Sequence, residues 1–187
     1  MTLDEVMFEA EEKMQKTEDI VRQEFAGVRT SKATPALVDN IVVEVYGGAQ
    51  MRLKELATIT TPEPKVILIQ PWDINNLHPI EKAIQKVNLG VNPVIDKKVI
   101  RIVLPDLSQE RRQELVKLVH KMAEDGRVAI RHVRRDALEH IKALCKAGDI
   151  TEDEKASAEK DIQKLTDEYI AKIDKHLAAK EKEIMTV

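Results

Sequence analysis

Aromatic side chains are scarce in this chain of 187 residues, 3% of the total, with Trp72 the sole tryptophan. Recognition of unpaired bases by stacking needs several exposed rings on one platform, so a sheet-type reader of single-stranded RNA is excluded. Any nucleic acid must be held through its phosphates and its shape. Cysteine is scarcer still. Cys145 stands alone, which forbids an internal disulfide and a cysteine metal cluster and suits a reducing compartment. No stretch approaches the ~20 apolar residues that span a bilayer, and the acidic start Thr2–Lys13 lacks the apolar segment of a secretory signal. A cytoplasmic protein with no membrane partner is expected.

Catalytic signatures are missing as well. The five histidines, His78, His120, His132, His140 and His176, show no metal-ligand spacing with carboxylates, and there is neither a glycine-rich phosphate loop nor a nucleophile elbow. The expectation is a protein that is not an enzyme, with no metal, no cofactor and no small-molecule substrate.

Proline is absent outside 35–105, and that boundary divides the chain into two kinds of pattern. Before it, Leu3, Val6, Met7, Ala10, Met14, Val21, Phe25 and Val28 recur at spacings of three and four behind a Thr2-x-x-Glu5 capping box, which predicts an amphipathic helix from about 3 to 29. Within it, β-branched runs predict strands at 41–46, 65–69 and 99–104. Gly47-Gly48 reads as a turn between two strands and Asp96-Lys97 as a hairpin turn, and Pro79 suits the first turn of a helix at about 79–88. After it the helical period returns from Ser108 to 146, a rod on the order of 60 Å. Leu115, Val119, Met122, Ile130, Val133, Ala137, Ile141 and Leu144 form its stripe. Gly148 closes that helix and Thr151-x-x-Glu154 opens another, with Ala158, Ile162, Leu165, Tyr169, Ile173 and Leu177 as its seam.

Helix one can bury its stripe only against partners that follow the β block, so that block must be an insertion. The expected fold class is α+β: a long antiparallel three-helix bundle formed by 1–30 and 106–187, with a small β/α/β sandwich domain, 31–105, inserted through two hinge strands. Ser31, Ala33, Pro105 and Asp106 occupy the two crossings, and a narrow paired junction of this kind is expected to permit relative motion.

Charge is plentiful, at 34% of residues against a globular average of roughly 25%. The net charge is −3, yet Arg111–Arg135 holds eight Lys and Arg against three acids. At 100° per residue Lys117, Lys121, Arg127, Arg131 and Arg135 are expected opposite the apolar stripe, with Arg134 on its flank. Arg127, Arg131 and Arg135 stack like charges at i,i+4, an arrangement that disfavours an isolated helix and suggests a polyanionic ligand. Guanidinium forks fit phosphate oxygens. Gly126 leaves room for a close backbone approach or a kink at the start of this patch.

These residues carry a family resemblance. Arg127-Val128-Ala129-Ile130-Arg131 and Val133-Arg134-Arg135-Asp136-Ala137, with Val28-Arg29-Thr30, Pro35-Ala36-Leu37, Val42-Val43-Glu44 and Tyr46-Gly47, resemble the bacterial ribosome recycling factors. The likeness continues through Lys82-Ala83-Ile84, Leu89-Gly90, Asn92-Pro93, Leu107, Glu110-Arg111-Arg112 and Gln163-Lys164-Leu165-Thr166-Asp167. Each string is short, but their order and spacing run over nearly the whole chain.

The resemblance implies an L-shaped body the size of a transfer RNA. It further implies binding to the post-termination ribosome, across the aminoacyl and peptidyl sites of the large (50S) subunit of the 70S particle. With elongation factor G and GTP the family dissociates that particle into subunits, releasing transfer RNA and messenger RNA. It implies contact with large-subunit ribosomal RNA through Arg131 and Arg134, with Arg29 and Arg112 near the same region; the basic face of the helix adds Arg127 and Arg135, and Lys32 completes the expected set. The chain departs from the family at Ser31-Lys32, where Gly-Arg is common, at Asp106, where a second proline is frequent, and at Val45, commonly aromatic. Lys32 keeps the charge without the planar fork. A monomer is expected on this reading, whereas an oligomeric coiled coil or chaperone-like helical protein would assemble into dimers or larger species.

Overall fold

The computed structural model describes residues 1–87 and 89–186. It is an α+β protein of four α-helices and six strands among the described residues, besides short 3-10 turns: α1 (Leu3–Ala26), β1 (Val42–Glu44), β2 (Gln50–Arg52), β3 (Ala57–Glu63), β4 (Val66–Pro71), α2 (Leu77–Lys86), β5 (Val94–Asp96), β6 (Val99–Val103), α3 (Gln109–Lys146) and α4 (Glu152–Met185). They form two compact units. One comprises Met1–Phe25 and Val116–Lys182, the other Ala26–Leu115 and Glu183–Val187.

The first unit is a bundle of three helices. Both expected capping boxes form: the Thr2 amide donates to Glu5 Oε2 at 2.7 Å while the Glu5 amide donates to Thr2 Oγ1 at 3.2 Å, and Thr151 and Glu154 repeat the exchange at 2.7 and 3.1 Å. Four otherwise orphaned donors are thereby satisfied. At the end of α3 the Asp149 amide bonds the Leu144 carbonyl and the Gly148 amide bonds that of Cys145, a closure that needs a left-handed residue, and Gly148 has φ +80°.

Val6 and Ala10 pack with Ala137, Ile141, Ala158 and Ile162. Since the start of α1 meets the end of α3 and the start of α4, α1 runs antiparallel to α3 and parallel to α4. Further along, polar residues join the seam. Glu18 is buried and accepts hydrogen bonds from Gln15 Nε2 at 3.0 Å and pairs with His176 Nε2 at 2.9 Å, while the Tyr169 hydroxyl donates to Gln15 Oε1 at 3.0 Å. A buried carboxylate is tolerable only when so partnered.

Gly126 also belongs to this seam. A Cβ there would lie 2.6 Å from Val21 Cγ2 and 3.3 Å from Ile173 Cδ1, so the glycine lets α1 and α4 close on α3. The expectation that it opens the backbone toward a ligand, or kinks the helix, is corrected: its empty side is taken by neighbouring helices.

In the second unit β1 and β2 form one antiparallel ribbon, and β3-β4-β6-β5 form an antiparallel sheet. Alternation along β6 puts Ile100 and Ile102 inside, where they meet Ile67 and Ile69 of β4 and Ile80 and Ile84 of α2. The expected strands at 41–46, 65–69 and 99–104 are present as β1, β4 and β6. β2 and β5 are the other arms that the turns at Gly47-Gly48 and Asp96-Lys97 require, and β3 alone was not expected. β3 carries Pro62 within a register shift between Thr60 and Glu63, where the missing amide disrupts no regular ladder. The helix expected at 79–88 begins two residues earlier, and its expected end at Asn88 lies outside the described residues.

Two chain segments run side by side over the turn between β3 and β4. Ala33 donates its amide to the Pro64 carbonyl and Leu104 donates to that of Lys65, each at 2.7 Å, and the Lys65 ammonium pairs with Asp106. No described helix is long and apolar enough to cross a membrane.

Candidate nucleic-acid interface

The basic residues fall into two groups, one in each unit. In the bundle, α3 carries Arg127, Arg131, Arg134 and Arg135 on two successive turns and a half. Arg135 is exposed, as are Lys117 and Lys121. Arg134 lies on the flank, as its angle predicts, and donates to Gln163 Oε1 of α4 at 3.3 Å.

Arg127 departs from expectation. Its side chain is only 20% exposed, with Nε donating to Asp174 Oδ1 of α4 at 2.8 Å and Nη1 to Glu124 Oε2 at 3.0 Å. At 100° per residue it lies about 80° from the centre of the buried stripe, close enough for a long side chain to reach the neighbouring helix. Arg127 is therefore a flank residue, not one opposite the core.

The expected like-charge ladder is also offset locally. Arg131 donates Nη1 to Glu124 Oε1 at 3.2 Å, so one carboxylate serves two guanidiniums. Arg127 and Arg131 together hold the Glu124 carboxyl below the usual carboxylate range. Repulsion between the arginines thus does not by itself demand a polyanion. What remains available is half of the Arg131 side chain, 42% exposed, and the open charge of Arg135.

The second unit buries two of its arginines. Arg29 is 8% exposed and Arg112 7%, so neither is the open cation that a surface phosphate contact would use. Arg112 Nη1 donates to the Met185 carbonyl at 3.2 Å. Arg29 Nε has no hydrogen-bond partner, alone among the buried side-chain polar atoms of the described residues. Burial lowers the Arg29 pKa, the Arg111 guanidinium adds to that, and Asp106 opposes it. Lys32 is exposed, and its amide approaches Thr30 Oγ1 at 3.4 Å. Among the residues expected at the crossings, Ser31 donates its hydroxyl to the Thr186 carbonyl at 2.6 Å, Ala33 is buried, and Pro105 and Asp106 are exposed.

Sequence reasoning missed three acids and bases that set these environments. Glu124 was visible as an acid at i−3 from Arg127 and i−7 from Arg131 on the same face. Asp174 and Lys65 carried no local signal, because each meets its partner through tertiary structure.

Comparison with known proteins gives one consistent family. The family model described as ribosome recycling factor matches residues 21–185. The ribosome-recycling factor of Caldicellulosiruptor saccharolyticus is 53% identical over 178 residues, covering 95% of this chain and 96% of that protein. That of Carboxydothermus hydrogenoformans is 49% identical over 185 residues, covering 99% and 100%. A solution structure of a ribosome recycling factor superposes with a TM-score of 0.77 at 48% identity over 99% of this chain and 98% of that one. A second structure, TM-score 0.68 and 45% identity over 100% of both chains, comes from models for the T. thermophilus ribosome recycling factor and the E. coli elongation factor G bound to the E. coli post-termination complex. Proteins of this kind are translation factors that act in protein biosynthesis by binding the ribosome, and they are not enzymes. With matches of this identity over nearly its whole length, the chain belongs to the ribosome recycling factor family.

Proposed function

We propose that this protein binds the post-termination ribosome in the cytoplasm, as a monomer, and contacts large-subunit ribosomal RNA across the aminoacyl and peptidyl sites. With elongation factor G and GTP it promotes dissociation into subunits and release of transfer RNA and messenger RNA. The observation that carries the RNA contact is the outward face of α3, where Arg131 and Arg135 present guanidinium charge on a 38-residue helix held rigid by two neighbours. Rigid presentation lets several charge-assisted contacts form without ordering the chain first. Arg134 and Arg127 flank that face. Lys32 supplies an exposed charge in the second unit, while Arg29 and Arg112 act from buried positions by shaping the local potential.

The residues 1–30 with 106–187 and 31–105 are the two mechanical domains on this reading, with Ser31, Ala33, Pro105 and Asp106 as the hinge. Support comes from the bonds of Ala33 and Leu104 to the successive carbonyls of Pro64 and Lys65, which make the two crossings one paired connection. Burial of all three apolar stripes within one chain favours a monomer over a coiled-coil assembly.

The test combines two measurements on Arg131→Ala with Arg134→Ala. Binding to 50S particles at two salt concentrations should weaken, with a shallower salt slope by roughly 0.7–0.9 per lost phosphate contact. Conversion of post-termination ribosomes into subunits, with elongation factor G and GTP, should fall in parallel while the helical circular dichroism is unchanged. Equal affinity in variant and parent would remove the site assignment. Failure of the parent protein to split ribosomes would remove the function.

A further inference from the structure

Charge is segregated among the three helices of the bundle. α3 is basic, whereas α1 holds eight acids against three bases and α4 ten against seven. Between α1 and α4 lies a groove of about 400 Å³, far from neutral in composition. Its floor is apolar: Met7, Leu165 and Phe8, the last 70% exposed although phenylalanine is costly to leave in water. Its rim carries Glu11, Asp161 and Glu168, with Lys164 the single base. Among the described residues none of these three carboxylates takes part in an ion pair, while Glu9, Glu18 and Asp19 on the same α1 do. An exposed aromatic in an apolar trough, ringed by unpaired acids, is the make-up of a docking surface.

We infer that the α1–α4 groove docks a basic protein segment, one rich in lysine and arginine with an aliphatic residue that packs on Phe8. Charge complementarity selects this occupant. The three carboxylates would repel a nucleic-acid backbone, and an acidic or neutral peptide would leave them unanswered. The apolar floor separates the groove from a mere counter-ion cloud, because burying Phe8 and Leu165 rewards a partner side chain of matching size. The basic and acidic faces of the bundle then bind different classes of molecule, RNA on one and a cationic protein segment on the other. This inference does not depend on ribosome binding.

The probe is a synthetic peptide of alternating Lys-Arg pairs and single leucines, titrated into the full-length protein and followed by backbone and methyl NMR. Shifts confined to Phe8, Leu165 and their neighbours are expected. Phe8→Ser and Glu168→Lys should each weaken binding by about tenfold, the equivalent of about 1.4 kcal/mol, and replacing the peptide leucines by serine should weaken it as much. Both substituted positions are exposed, so unchanged melting temperatures will show that the fold is kept. Shifts spread over every acidic residue, or a serine peptide that binds as well as the leucine one, would reduce the effect to non-specific charge and overturn the inference. RNA that competes at this groove would overturn it too. So would concentration-dependent dimers in sedimentation that Glu168→Lys abolishes, since they would assign the groove to a second copy of the chain.

Discussion

Arg127 of α3 reaches across the bundle to Asp174 of α4, with Nε 2.8 Å and Nη2 2.6 Å from the same carboxylate oxygen. This pair divides the basic residues of α3 into those that tie the bundle and those that face outward. Arg127→Ala should lower stability by up to about 1 kcal/mol in urea unfolding, and Asp174→Ala added to it should cost little more. Arg135→Ala should stay within about 0.5 kcal/mol of the parent. In 50S binding the order should reverse, with Arg135→Ala the more damaging of the two.

Glu124 sits between Arg127 and Arg131 and competes with any phosphate for both. Glu124→Gln removes that competition and one negative charge, so its affinity for 50S particles should rise several-fold at low salt and converge on the parent at high salt. The stability the carboxylate gains from its two arginines should be fully present above the usual carboxylate range. Its folded pKa is lowered, so the contribution is lost only as pH falls through that lower value. An acid titration of the unfolding midpoint should therefore separate parent from variant at neutral pH and bring them together in strong acid.

Much of this architecture was legible before the structure, and for local reasons. A capping box such as Thr2/Glu5 or Thr151/Glu154 joins residues three apart, and the stripe from Leu115 to Leu144 repeats with the period of one helix. β2 was legible only as the arm after the Gly47-Gly48 turn, since Gln50-Met51-Arg52 has no β-branched residue, and β3 was masked by Pro62. The outward residues of the candidate interface followed from helix geometry. The inward ones did not: the burial of Arg29 and Arg112, and the grip of Asp174 on Arg127, arise from segments brought together only by folding.

Gly126 opens the basic stretch of α3 in sequence, yet its Cα faces Val21 and Ile173. Alanine there would gain about 1 kcal/mol in helix propensity and lose about 1–3 kcal/mol to overpacking, so Gly126→Ala should melt at a lower temperature than the parent. Trimming the obstacle should restore the balance in part. Gly126→Ala with Val21→Ala is expected to lose less than the sum of the single changes, read from the same thermal scans.

Arg29 tests whether function is kept at the expense of stability. The residue is 8% exposed, its Nε is buried and unpaired, and Arg111 adds a second positive charge nearby. A buried polar group without a partner costs about 1–3 kcal/mol, and a well-packed apolar side chain of similar length escapes that cost. Arg29→Met should therefore raise the urea midpoint, by the equivalent of about 1 kcal/mol, while weakening 50S binding and lowering the salt slope. Arg112 gives the contrast. Its Nη1 is bonded to the Met185 carbonyl, so Arg112→Met removes a made hydrogen bond and strands that carbonyl, and the midpoint should fall. A rise for Arg112→Met, or a fall for Arg29→Met, would mean that the unpaired Nε is not where the strain of this cluster resides.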